Sequence, residues 1–92
     1  MSEVKHHPDE GRFTIKVDGY NAVLTYHMDG NTIVFTHTGV PEAIGGRGIG
    51  SQLASAGLKC ARAQGHRVRP LCWFVAGYIQ RHPEYQDLLD NA

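Results

Sequence analysis

Apolar and polar residues alternate along residues 12–28 of the chain. Two alternating runs meet at Asp18-Gly19, and the second of them ends at the turn Asp29-Gly30-Asn31. A third run is rich in β-branched residues and stops before Pro41; alternation with a period of two is typical of half-buried strands. The pattern predicts three antiparallel strands in a meander, and the first two strands carry the apolar residues Phe13, Ile15, Val17, Ala22, Leu24, Tyr26 and Met28.

The periodicity changes after Pro41. Residues 41–50 hold four glycines, and residues 51–64 repeat apolar side chains at helical spacing before Gly65, which suits the end of a helix. Residues 67–73 are predicted as a short strand and residues 74–81 as a second helix that stops before Pro83, with a last helical turn over 84–89. A strand, a helix and a strand in this order form a crossover unit, so the last strand is expected to run parallel to the third.

These elements predict one α/β domain of the α+β type: an antiparallel meander extended by one parallel strand, with the helices packed on the sheet. A chain of 92 residues has room for a single modest core. Residues 1–10 are polar and lack periodicity, so we expect a disordered tail there and the domain over residues 11–92. The predicted core consists of Phe13, Ile15, Leu24, Ile33, Phe35, Leu53, Leu58, Val68 and Leu71.

Composition narrows the classes of function. Nine basic and nine acidic residues cancel, so the net charge offers no attraction to nucleic acid or to an anionic membrane. No apolar run approaches the roughly 20 residues that span a bilayer, and the first residues lack the apolar stretch of a secretory signal. Cys60 and Cys72 have no spacing for a disulfide framework or a metal knuckle. We therefore expect a cytoplasmic protein without a metal site, as a monomer or a weak homodimer.

The glycine-rich loop is the first candidate site. Its glycines precede a predicted helix whose first amide N–H groups lack intrahelical acceptors, and Arg47 adds one positive charge. Glycine lets an anion approach the backbone without meeting a Cβ atom, so the loop could hold a phosphate group. No Gly-Lys-Ser/Thr ends the loop, and Leu53 stands where a dinucleotide-binding loop has glycine, which disfavours ATP and NAD. From the residues alone, the glycines could equally serve turns only.

The loop and two later segments resemble one protein family. The run Val40-Pro41-Glu42-Ala43-Ile44-Gly45-Gly46-Arg47-Gly48-Ile49-Gly50-Ser51 is similar to the acetyl-CoA loop of the GCN5-related N-acetyltransferases, Gln/Arg-x-x-Gly-x-Gly/Ala at the start of a helix. Gly48 and Gly50 match this pattern, whereas Gly45 replaces a glutamine or arginine and so removes one side-chain contact. Residues 70–75 and 78–85 resemble the short, single-domain members of the family, which extends the resemblance over about residues 12–89.

The resemblance implies acetyl-CoA or coenzyme A as the co-substrate and a minimal form of the family fold, without the two N-terminal helices that usually form the acceptor wall. In this family, the strand before the loop and the strand after the helix splay apart, and the pantetheine arm lies between them. Here these strands are expected to end at Val40 and Trp73. The cofactor-binding residues that the resemblance implies are Thr38, Gly39, Val40, Gly45, Gly46, Arg47, Gly48, Ile49, Gly50, Ser51 and Phe74.

The resemblance also implies three candidate catalytic residues. Cys72 lies at the mouth of the split, where a thiol could accept the acetyl group, protonate the leaving thiolate or simply pack. Tyr78 aligns with a tyrosine that donates this proton in many family members, and is otherwise a core aromatic. His37 lies in the apolar phase of its strand, either as a base or as a satisfied core histidine. Many short relatives have a glutamate where this chain has Gly39.

The predicted activity is transfer of an acetyl group from acetyl-CoA to an amine by direct attack on the thioester, with a covalent acetyl group on Cys72 as the variant. The competing prediction is a non-enzymatic module that binds acyl-CoA or coenzyme A. A redox or thiol-regulated protein is a third alternative, weakened because no second cysteine lies near Cys72 in the sequence. Whether the acceptor is a small molecule or a protein lysine is left open.

Overall fold

A computed structural model describes residues 3–90. Two 3₁₀ segments, Glu42–Ile44 and Pro83–Leu88, accompany the strands and α-helices. In chain order, those elements are β1 (Lys5–His7), β2 (Arg12–Val17), β3 (Tyr20–Asp29), β4 (Thr32–Gly39), α1 (Ile49–Gln64), β5 (Arg67–Pro70) and α2 (Trp73–Arg81).

The strands form one mixed sheet in the order β1-β2-β3-β4-β5. Neighbours from β1 to β4 are antiparallel, and β5 runs parallel to β4 after the crossover through α1. Asp18 and Gly19 both have positive φ, the backbone geometry of a tight hairpin whose twist matches that of its strands. The predicted fold class, a meander extended by one parallel strand, is confirmed.

The N-terminal segment corrects the expectation of a disordered tail over residues 1–10. Lys5–His7 pairs with β2, and the His6 ring stacks on Phe13 with 4.1 Å between the ring centroids. The Nε2 atom of His6 also lies 2.5 Å from the hydroxyl of Tyr26. These contacts involve residues distant in sequence, so the local pattern of a three-residue strand does not reveal them. Residues 1 and 2 lie outside the described residues.

The core lies where α1 packs on the sheet. Gly57 allows this close approach, because a Cβ atom there would lie 2.9 Å from the Phe35 ring. All the predicted core residues are buried except Leu71, which is 60% exposed because β5 ends at Pro70 and Leu71 lies in the link to α2. Core residues beyond the prediction come mainly from the loop and the C-terminal third: Ile44, Ile49, Val75, Tyr78, Ile79, Tyr85 and Leu88.

A β-bulge in β4 corrects the predicted orientation of His37. Thr25 pairs with His37 and Tyr26 with Phe35, which leaves Thr36 as an extra residue in β4. The extra residue reverses the alternation that the first half of β4 establishes. His37 therefore lies on the sheet face opposite α1, outside the apolar phase of Phe35, and is exposed. Thr38 instead pairs with the buried Leu24 and shares its helix-facing side.

Two left-handed glycines flank α1. Gly48 precedes the helix and Gly65 follows it, each with a φ of 73°. The predicted C-terminal glycine is confirmed, whereas the helix begins at Ile49, before the predicted start at Ser51. The strand ends also differ from the prediction: β4 stops at Gly39, and β5 stops at Pro70 before α2 begins at Trp73. Within residues 3–90, no helix is both long and apolar enough to cross a membrane.

Candidate active site

The loop before α1 presents a run of amide N–H groups without acceptors. Within the described chain, no hydrogen bond uses the backbone amides of residues 46–51. Gly46 and Gly48 both have positive φ, and a Cβ atom at either position would meet nothing within 4 Å. The first turn of α1 carries no acidic residue, so nothing there opposes the positive end of the helix dipole. The loop therefore has the geometry of an anion-binding cradle.

A depression of about 280 Å³ lies over this loop. Phe74, the second residue of α2, forms one wall of it and packs against Gly50, where a Cβ atom would lie 2.7 Å from the ring. Glycine at position 50 thus lets α2 approach the start of α1. The structure brings most of the predicted cofactor-binding residues together around this depression: Val40, Gly45, Gly46, Gly48, Ile49, Gly50, Ser51 and Phe74.

The positive charge of Arg47 is already paired with an acidic side chain in this structure. Its guanidinium forms an ion pair with Asp18 of the β2–β3 turn, and both side chains are more than half exposed. An exposed pair of this kind contributes at most about 1 kcal/mol, so an anion in the loop can compete with Asp18 for the guanidinium. Asp18 is a site residue that the sequence did not indicate, because the contact joins a hairpin turn to a loop 29 positions later.

The two parallel strands separate beside the loop. Their pairing ends at Phe35 and Pro70, whereas β4 continues for four more residues to Gly39. The amides of Leu71 and Cys72 both donate to the carbonyl oxygen of Phe35, each at 3.0 Å, which fixes the point of separation. Beyond it, the β5 side of β4 has no strand partner within the described chain. The expected split is present, and it opens earlier than Val40 and Trp73.

A hydroxyl and a thiol face each other across this split. The Oγ1 atom of Thr38 lies 3.1 Å from the Sγ atom of Cys72, and Cys72 is 8% exposed. Either atom can be the donor. The bulge at Thr36 creates this contact, since it turns Thr38 towards the helix side of the sheet. The sequence suggested backbone contacts for Thr38 and gave no sign of its side-chain partner.

The second cysteine has a different setting. Cys60 is partly buried in α1, and burial raises the pKa of its thiol, which disfavours the reactive thiolate. No cluster of three or more potential metal-ligating side chains was found among residues 3–90.

The other two catalytic candidates make no hydrogen bond to the thiol within the described residues. The His37 ring folds over Gly39 on the opposite face of β4, and its Nε2 atom lies 3.3 Å from where a Gly39 Cβ would be. Tyr78 is buried and stacks on His82 with 4.0 Å between the ring centroids. Within the described chain, no hydrogen bond joins Tyr78 to Cys72 or to Thr38. The structure therefore brings Cys72 together with Thr38, places His37 on the other face of the same strand, and sets Tyr78 against the C-terminal segment.

Comparison with known proteins agrees with this architecture. Residues 12–88 match the model of the family described as GCN5-related N-acetyl-transferase. Protein NATD1 of Gallus gallus is 34% identical over an alignment of 84 residues that covers 88% of this chain and 76% of that protein. Protein NATD1 of Homo sapiens is 35% identical over an alignment of 83 residues that covers 87% of this chain and 74% of that protein. The solution structure of a GCN5-like protein from Staphylococcus aureus shares the fold with a TM-score of 0.75 and 32% identity, over 98% of this chain and 89% of that one. The chain therefore belongs to the GCN5-related N-acetyltransferase family.

Proposed function

We propose that the protein transfers an acetyl group from acetyl-CoA to an amine. The observation that carries this proposal is the run of free amides over residues 46–51, at the end of a split that contains the Thr38–Cys72 pair. The loop holds the pyrophosphate of the co-substrate through its amide N–H groups. The pantetheine arm then follows the unpaired side of β4 and brings the thioester to Cys72.

The chain's own groups supply both proton transfers. His37 lies one residue from Thr38 and on the opposite face of the sheet, so the amine approaches from the His37 side and loses its proton to the imidazole. The amine nitrogen forms a bond to the acetyl carbon, and the bond from that carbon to sulfur breaks. Cys72 gives its proton to the departing thiolate, and the hydroxyl of Thr38 turns to donate to the new Cys72 thiolate.

A second function is favoured by one specific observation. β1, β2 and β3 are joined by short connections, residues 8–11 and 18–19, so within residues 3–90 no helix precedes β4 that could form an acceptor wall. A non-enzymatic module that binds coenzyme A or acyl-CoA needs no such wall.

Turnover separates the two functions. The protein is incubated with acetyl-CoA and a panel of small amines and lysine peptides, and the release of free coenzyme A thiol is followed. An acetyltransferase releases thiol only when an acceptor is present. A binding module retains acetyl-CoA unchanged with every amine, and that result would overturn the proposed transfer while leaving binding intact.

A further inference from the structure

A second groove starts where the loop depression ends. Ser51 lines both, and the groove continues from it across the exposed side of α1, with a volume of about 470 Å³. Its walls come from the N-terminal segment, from α1 and from one α2 residue: Val4, Ser51, Gln52, Ser55, Ala56, Lys59 and Tyr78. A ligand held by the loop can therefore extend into this groove without crossing another element.

We propose that this groove binds the adenosine 3′-phosphate end of coenzyme A, with Lys59 as the partner of the 3′-phosphate. The inference rests on the proposed function, which assigns the pyrophosphate to the loop and the pantetheine arm to the split. Once these two parts are placed, the adenosine end has to leave the loop in another direction. The groove that shares Ser51 with the loop provides that direction.

The spacing along α1 brings Lys59 within reach. Ser51, Ser55 and Lys59 are four residues apart and so lie on one side of the helix. At about 1.5 Å per residue, the Cα atom of Lys59 lies about 12 Å along the axis from that of Ser51. Side chains on a helix point back towards its N-terminus, so the long side chain of Lys59 can extend its ammonium group towards the loop. A nucleotide that starts at the loop spans the remaining distance.

Charge favours the same assignment. Lys59 is exposed and makes no ion pair within residues 3–90, whereas Arg62 on the same helix is bound to Asp87. Arg47 at the loop is likewise paired, with Asp18. Lys59 is therefore the cation of α1 that can meet a dianionic phosphate without first losing a partner. Val4 and Ala56 give the groove an apolar wall against which the adenine ring can lie.

The test compares coenzyme A with 3′-dephospho-coenzyme A, which differs only by the phosphate in question. Binding is measured by calorimetry for the natural protein, for Lys59→Gln and for Arg81→Gln, a control that removes one positive charge at the end of α2. The natural protein should bind coenzyme A about fivefold more tightly than the dephospho compound, as expected for one exposed charge contact. Lys59→Gln should abolish that preference by weakening coenzyme A alone, and Arg81→Gln should keep it.

The remaining outcomes distinguish a wrong assignment of Lys59 from a wrong co-substrate. An unchanged preference in Lys59→Gln would show that Lys59 does not meet the 3′-phosphate. Loss of the preference in Arg47→Ala would show that the adenosine end leaves past the loop instead of along α1. If neither compound binds the natural protein, the proposed co-substrate itself is wrong. If both compounds bind equally to the natural protein, only the inference fails.

Discussion

Residue by residue, the chemistry of the site depends on which way two neighbours in β4 face. The extra residue at Thr36 sends His37 to the open face of the sheet and Thr38 to the face of Cys72. A base for the amine and an acid for the thiolate then approach one thioester from opposite sides. The Thr38 hydroxyl can accept a hydrogen bond from the thiol before the reaction and donate one to the thiolate after it.

Replacement of Cys72 tests its role as the proton donor. Cys72→Ala should slow acetyl transfer by about 10²- to 10⁴-fold, the usual contribution of general acid catalysis, with no acetylated protein in the mass spectrum. Cys60→Ala is the matched control, because Cys60 is the other cysteine of the chain and lies in α1, away from the split. The turnover of this variant should equal that of the natural protein. An acetyl group on the natural protein, absent from Cys72→Ala, would instead identify Cys72 as the nucleophile. Unchanged turnover with a lower melting temperature would show that Cys72 only packs.

Because Asp18 is paired with Arg47, removal of the Asp18 charge should increase the affinity for coenzyme A. Asp18→Asn frees the guanidinium for the phosphate and keeps a residue that tolerates the positive φ at this position. Coenzyme A should then bind about two- to fivefold more tightly in a calorimetric titration, whereas Arg47→Ala should lose about 1 kcal/mol. Asp29→Asn, which removes an equally exposed partner of Arg69, should leave affinity unchanged. Weaker binding in Asp18→Asn would contradict this account of the loop charge.

At this scale, the sequence predicted an anion-binding glycine loop and a cysteine at the mouth of a split between two strands. The structure places Cys72 where β4 and β5 separate, and binding by the loop stays a prediction. These features are local, because glycines and the motif around them determine the backbone conformation of their own segment. The side-chain partner of Thr38, the orientation of His37 and the Asp18 contact were missed or wrong. Each of them depends on a bulge or on a contact between distant segments. A sequence interpretation that assumes strict alternation of faces predicts neither.

Among the elements, the contact between α1 and α2 shapes the loop depression. Phe74 reaches over Gly50, and the absence of a side chain at Gly50 lets the ring lie there. A methyl group at that position would press on the ring, since its Cβ would lie 2.7 Å from the nearest ring atom. The position of α2, and with it one wall of the proposed co-substrate site, thus depends on one glycine.

Substitution of two helical glycines tests this contact. Gly50→Ala should lower the free energy of unfolding by about 1 kcal/mol, because overpacking outweighs the gain in helix propensity. Gly77→Ala in α2 should raise it by about 0.5–1 kcal/mol, since its Cβ would lie 3.4 Å from the flexible end of Arg81 and the helix gains propensity. Denaturant unfolding of both variants measures the difference. A stabilised Gly50→Ala would mean that Phe74 does not pack where the structure places it.

Most helices and strands could be predicted from the pattern of apolar residues. β2 and α1 bury one face with a regular period, whereas β4 is a β-branched run whose first four residues are all buried. The ends of the elements were less predictable. Leu71 was placed in a strand and in the core, yet β5 stops one residue earlier, where Pro70 cannot continue the ladder as a donor. β1 was not predicted, because its three residues show no periodicity. The strand is stabilised by contacts of His6 with Phe13 and Tyr26.

Across the whole molecule, one end of the sheet carries the loop, the split and the Thr38–Cys72 pair. The groove along α1 leads from that end across the exposed side of the helix. Within residues 3–90 no helix precedes β4, so the proposed acceptor meets an open sheet face. Binding of coenzyme A at this end is the claim on which acetyl transfer and the Lys59 inference both depend.

The most direct test is an NMR titration with coenzyme A, comparing Gly48→Val with Gly65→Val. Both glycines flank α1 with the same φ of 73° and open space around a Cβ, so both substitutions impose similar backbone strain. Amide shifts in the natural protein should be largest in residues 38–51 and at Cys72 to Phe74, with smaller shifts along α1 to Lys59 where the adenosine end is proposed to lie. Gly48→Val should weaken binding at least tenfold by placing a branched side chain where the phosphate approaches, and Gly65→Val should bind normally. Shifts confined to other residues, or equal loss of affinity in the two variants, would contradict a coenzyme A cradle at this loop.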